Sequence, residues 1–170
     1  MKRQIAAEFF GTGLLLLAVA GSGVMGESLA GGNVAVALLA NSLATGAALY
    51  VIISLFGPVS GAHLNPVVTL MAWADGASDV RQVIAYLMAQ FAGAIAGVWA
   101  VHAMFGQAIF QVSSKPRSSA GLWFSELLAT FLLLMLIRAA SSRQDAKLPA
   151  YVALAVTAGR SEERRVGKEC

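Results

Sequence analysis

Four stretches of this chain are long and apolar enough to cross a lipid bilayer as helices, and two more fall short. A hydrocarbon core about 30 Å thick takes about 20 mostly apolar residues per helix. Residues 4–25, 34–56, 83–105 and 122–139 meet that requirement. Residues 65–74 and 148–159 do not. The expected fold class is therefore an all-α membrane protein. Composition agrees: 58% of residues are apolar and only 12% charged, against about 25% charged in an ordinary globular domain. A single Cys excludes a disulfide scaffold, and the apolar content excludes disorder and a collagen-like chain.

The sequence isoelectric point near 9.4 points toward nucleic acid only at first sight. Of twelve Lys and Arg and nine Asp and Glu, four basic and three acidic residues fall within 160–170, leaving eight against six. That remainder forms no basic stripe to track phosphates, so no nucleic-acid partner is expected. Met1-Lys2-Arg3 before an apolar run resembles a signal peptide ending at Ala18-Val19-Ala20. Glu8 interrupts that run and further spans follow, which predicts a retained first helix. With the N-terminus inside, Lys2, Arg3, Arg81, Arg138, Arg143 and Lys147 are cytoplasmic and only Lys115 and Arg117 lie outside. The excess of positive charge favours that orientation.

Two acids lie inside hydrophobic segments, Glu8 and Glu126. A carboxylate at such depth is costly, and normally faces a bundle interior where it is paired or accepts hydrogen bonds. Ala7-Glu8-Phe9-Phe10-Gly11-Thr12 parallels Ser125-Glu126-Leu127-Leu128-Ala129-Thr130 at an offset of 118 residues. Three spans begin between the two copies, so the second enters from the opposite face. This is the pattern of an inverted-topology repeat.

Between the second and third spans stands Ser60-Gly61-Ala62-His63-Leu64-Asn65-Pro66-Val67-Val68-Thr69. Asn is a strong N-cap and Pro is favoured at the first helical position. The helix they open spans about 15 Å, half the hydrocarbon thickness. Between two full spans, it reads as re-entrant, with its N-terminus near the midplane. Backbone at that depth is tolerated only inside protein or beside a water-filled cavity. The positive end of the half-helix dipole repels cations and protons there. Asn65 caps with its oxygen and offers its NH2 donors to a passing solute, which suits small neutral polar molecules.

Ala7–Thr12, Ser60–Thr69, Gln90-Phe91-Ala92-Gly93-Ala94 and Ser125-Glu126 together resemble the aquaporin and aquaglyceroporin family, the major intrinsic proteins, over residues 4–159. The resemblance implies a right-handed six-helix bundle with two half-helices, assembled as a tetramer with one pore per subunit. It implies a bacterial inner-membrane channel for water and small neutral solutes. On that model Asn65, Pro66 and Val67 line the pore, His63 supports the pore-lining loop, and Glu8 and Glu126 brace the re-entrant backbones. Val67 stands where the family has Ala, which adds bulk beside the constriction and keeps the Asn donor. The filter positions fall on Thr45 and Ala158. Water channels of the family carry a bulky aromatic at the first of these, so Thr45 implies a wider pore for glycerol-like solutes or neutral metalloid acids such as arsenite.

Other features have plainer readings. Gly93 and Gly97 form a small-xxx-small pair for helix packing. His102 and the three Trp residues lie near span ends, as interfacial belts do. No HExxH, GxSxG, Walker or Rossmann fingerprint occurs, so neither an enzyme nor a cofactor is expected. By the same offset, a second Asn-Pro falls near position 183, past the last residue. Residues 160–170 carry seven charges in eleven positions and look like a translated sequencing adapter. The chain as written is therefore expected not to conduct. Two other classes stay open: a secondary-transporter fragment, and a non-conducting membrane subunit fragment.

Overall fold

The computed structural model describes residues 1–111, 120–142 and 147–163. Lys115, Arg117, Arg143 and residues 164–170 lie outside them. Six helices follow one another: α1 (Lys2–Leu29), α2 (Val34–Ser60), α3 (Pro66–Ala74), α4 (Val80–Met104), α5 (Ala120–Ser142) and α6 (Leu148–Glu163). The described residues contain no strand. Four helices carry membrane-length apolar stretches, namely α1, α2, α4 and residues Trp123–Ser141 of α5. This is a multi-pass membrane architecture.

Where the helices run longer than the apolar stretches, polar residues at their ends account for the difference. The side chain of Asn33 accepts from Ala35 N and Val36 N and starts α2. Asp79 accepts from Gln82 N at 2.7 Å, so α4 begins three residues before its apolar run. Hydrophobicity marks what sits in lipid, whereas caps mark where the orphan N–H groups are satisfied. α2 continues through Pro58 to Ser60 and stops where Gly61 takes a left-handed φ of 87°. α6 likewise continues past Gly159 to Glu163, because one Gly costs a helix only about 1 kcal/mol and does not by itself end it.

Helix directions follow from pairs of close contacts. A Cβ added to Gly93 would collide with the carbonyl oxygen of Phe9, and one on Gly97 with that of Gly13. Numbers rise together, so α1 and α4 are parallel, and their glycines let the backbones touch. Gly26 meets Ala37 while Gly11 meets Ile52 and Phe56, so α1 and α2 are antiparallel. Gly46 lies against Ala153 and Thr157, and the Thr157 hydroxyl donates to the Ser42 carbonyl, which sets α6 antiparallel to α2. α1, α4 and α6 thus share one direction. An ion pair between Arg138 and Asp75 brings the C-terminal end of α5 beside the residues that lead into α4, so α5 runs the opposite way.

The buried core is small and lies where α1 and α2 meet the loop that follows them. Ile52, Ala62 and Leu64 form it, with Leu15, Ala48, Ile53 and Phe56 packed around. Large apolar side chains elsewhere face outward, among them Phe10, Leu39, Val51, Met88, Phe91 and Leu132. In water such a surface would drive aggregation; in a bilayer it is the solvated face.

Candidate functional site: a re-entrant half-helix held by a buried carboxylate

The site is built on the five residues between α2 and α3. Ser60 ends α2 beside Glu8, Leu64 reaches the level of Gly11 one turn further along α1, and α3 then runs back toward the start of α4. The chain therefore enters the bundle and leaves by the same end. At nine residues, α3 covers about 13–14 Å, too little to span. To make the reversal, Ala62 and Leu64 adopt φ of 47° and 52°. Each left-handed residue other than Gly costs about 1–2 kcal/mol, so the loop needs an outside partner to hold it.

Glu8 is that partner. It is fully buried, and its two oxygens accept four hydrogen bonds. Oε1 takes the Ser60 hydroxyl at 2.6 Å and the His63 N–H at 3.0 Å. Oε2 takes the Leu64 N–H and the Gln90 amide, both at 2.8 Å. The Ser60 hydroxyl also accepts from Ala62 N, so every N–H of the 62–64 turn is satisfied by Glu8 or by a side chain bound to it. All four groups donate, which matches an ionised carboxylate and gives the charge the bonds its depth demands.

A second layer supports the first from α4. The Tyr86 hydroxyl donates to the Ser60 carbonyl at 2.9 Å, and Tyr86 is fully buried. Gln90, one turn later, donates to Glu8 and also to the Thr69 hydroxyl at 3.0 Å. Thr69 in turn donates to the Asn65 carbonyl and lies 3.2 Å from His63 Nδ1. A hydroxyl has one proton, so with that proton on Asn65, His63 must donate from Nδ1. The His63 ring also packs edge-on against Tyr86, with centroids 5.2 Å apart.

At the head of α3, Asn65 Oδ1 accepts from Val67 N at 2.9 Å, and Pro66 occupies the first helical position. The Asn65 Nδ2 group has no hydrogen-bond partner among the described residues. Asn65 and Pro66 are half-buried and Val67 is 40% exposed. The structure thus brings Glu8, His63, Asn65, Pro66 and Val67 into one region. It adds roles for Ser60 and Thr69, the two ends of the motif, and for Gln90 of the family-like segment in the third span, and it adds Tyr86, which shares an i, i+4 face of α4 with Gln90.

The remaining expected residues sit differently. Thr45 is 1% exposed, so it is packed within α2's buried face, beside the glycine that receives α6. Ala158 is exposed on α6. Glu126 is exposed on α5 and has no hydrogen-bond partner among the described residues. No described segment does for Glu126 what residues 60–64 do for Glu8. The likeness of the two sequence copies therefore does not extend to their surroundings in this chain. No cluster of His, Cys, Asp or Glu that could hold a metal occurs among the described residues.

Comparison with known proteins agrees with the family resemblance that the Asn-Pro motif and Glu8 carry. The chain matches the family described as Major intrinsic protein over residues 1–159. It belongs to that family. Among curated relatives it is 42% identical to aquaglyceroporin AqpS of Rhizobium meliloti (strain 1021) over 93% of this chain and 67% of that one. It is 35% identical to the glycerol uptake facilitator protein of Escherichia coli (strain K12) over 65% of this chain and 38% of that one. Probable aquaporin NIP7-1 of Arabidopsis thaliana is 33% identical over 81% of this chain and 49% of that one. Its fold is similar to that of the aquaglyceroporin from Plasmodium falciparum, with a TM-score of 0.79 at 22% identity, covering 97% of this chain and 80% of the other. The chain thus spans between about a third and two thirds of the length of these curated relatives.

Proposed function

We propose that this major intrinsic protein forms part of a passive channel for water and small neutral solutes, glycerol-like molecules or neutral metalloid acids. The observation that carries the reading is the half-helix α3, whose N-terminus is fixed inside the bundle with the Asn65 Nδ2 group uncommitted. A helix N-terminus carries about half a positive charge, which disfavours cations, while an amide donor binds the oxygen of a water or a hydroxyl. The relatives named as aquaglyceroporin and glycerol facilitator support the solute class.

On this reading Asn65, Pro66 and Val67 line the pore, His63 supports its wall, and Glu8 is the buried support. Thr45 and Ala158 face the filter, and Glu126 braces a second re-entrant loop, only in a chain continued beyond Gly159. The family match ends at Gly159, which supports reading residues 160–170 as foreign to the channel. The complete protein is a homotetramer in a bacterial inner membrane with its N-terminus cytoplasmic, and it works without catalysis.

The test is solute flux in proteoliposomes. A reading frame continued past Gly159 should pass water and glycerol at a rate linear in the gradient and indifferent to proton or sodium gradients. The 170-residue chain should pass neither. Flux that requires an ion gradient would make the protein a transporter instead.

A further inference from the structure

The head of α3 is anchored by Glu8, but its other end is held by something the channel reading does not use. Asp75 is the C-cap of α3, and its carboxylate stands at the negative end of the half-helix dipole, where an acid is disfavoured. No basic residue lies in the last turn of α3 to offset it. The compensating charge comes from α5: Arg138 Nη2 lies 3.0 Å from Asp75 Oδ1. Among the described helices, α3 packs chiefly on α4, and α5 chiefly on α6. The ion pair therefore joins two elements that otherwise scarcely meet.

We propose that Asp75 and Arg138 form a tether that positions the half-helix from its outer end. α3 is nine residues long and continuous, so movement at Asp75 is carried about 13–14 Å to Asn65. Glu8 sets where the loop turns, and the tether sets the tilt of the helix that follows. Asp75 is 31% exposed and Arg138 65%. A pair so open to water is weak and screened by salt, which makes the tether adjustable by the ionic strength on that side of the membrane.

The pair's effect on α3 can be read without any transport. The last turn of α3 closes with Asp75 N–H to Met71 O, Gly76 N–H to Trp73 O and Ala77 N–H to Ala72 O. Hydrogen exchange of these three amides, in the purified 170-residue chain in detergent, reports how firmly that end is held. Asp75→Asn and Arg138→Gln should each speed their exchange about two- to fivefold, the range expected of an exposed pair. Arg138→Lys, which keeps the charge, should stay near the unmodified chain. The exchanged pair, Asp75→Arg with Arg138→Asp, should restore protection. Amides of α1 and α4 serve as the control that each variant is folded, and the charge-preserving variant covers the case in which a neutral one is not. Unchanged exchange in Arg138→Gln, or no recovery in the exchanged pair, overturns the tether. The consequence for the pore rests on the channel reading and is tested apart from it. In the continued frame, Arg138→Gln should lower glycerol flux per channel, with the loss shrinking as salt is raised. Altered exchange without altered flux would leave the tether standing and remove its role in conduction.

Discussion

Four donors converge on Glu8, and this decides what a substitution there does. Replacing Glu8 with Gln puts an amide NH2 where one of these donors now points, so two hydrogens face each other in a buried site. Whichever oxygen becomes the NH2, a backbone N–H of the turn, that of His63 or of Leu64, is left unsatisfied, and the charge that strengthened all four bonds is gone. Glu8→Gln should lower stability by about 2–4 kcal/mol, measured by unfolding in mixed detergent micelles. A loss within about 0.5 kcal/mol would mean that the carboxylate does not organise the loop. Glu8 and Asn65 could be picked out of the sequence because a buried charge and an Asn-Pro helix start each announce a cost or a cap. The left-handed Ala62 and Leu64 could not, since neither residue type marks a positive φ. Nor could Tyr86, because only the docking of α4 on α1 brings it to Ser60, 26 residues earlier; Gln90 stood in a family-like segment, but its partners Glu8 and Thr69 did not show there.

Among the helices, the contact between α1 and α4 leaves no room for side chains. Gly97 lies against the carbonyl oxygen of Gly13, so Gly97→Ala must push the two helices apart. The cost should be about 1–3 kcal/mol, the usual price of overpacking. Gly159 in α6 offers the contrast, because a Cβ there meets nothing within 4 Å. Gly159→Ala should be neutral or stabilising by up to about 1 kcal/mol through helix propensity alone. The two variants, unfolded side by side, separate crowding from propensity, and equal effects would contradict the packing. Element positions were largely readable from apolar length, and the short α3 from its capping pair. Their ends were less so. Asp79 and Asn33 are polar caps outside the apolar windows, and Gly159 read as a terminus although α6 carries on to Glu163. The repeat around Glu126 is legible as two similar helix starts that run in opposite directions, but local likeness does not report what packs beside each, and here Glu126 is exposed.

For the molecule as a whole, the helix directions gather Lys2, Arg3, Arg81, Arg138 and Lys147 at one end, the end where α3 also terminates. On the proposed reading that end is cytoplasmic, the side on which the positive-inside rule expects an excess of Lys and Arg. With Cys170→Ser as background, Lys2→Cys in intact cells should react with an impermeant maleimide only after the membrane is opened. Labelling of intact cells would invert the topology. The account as a whole stands on Asn65 and the dipole behind it. Its most direct test is the flux of glycerol and of protons through the continued frame carrying Asn65→Asp. An acid there keeps the cap but replaces the NH2 donors with a negative charge, which attracts the cations the half-helix repels. The account predicts that glycerol flux falls about tenfold, the scale of one neutral hydrogen bond lost, while proton leak rises. Glycerol flux and proton exclusion both equal to those of the unmodified channel would show that the head of α3 does not face the path of the solute.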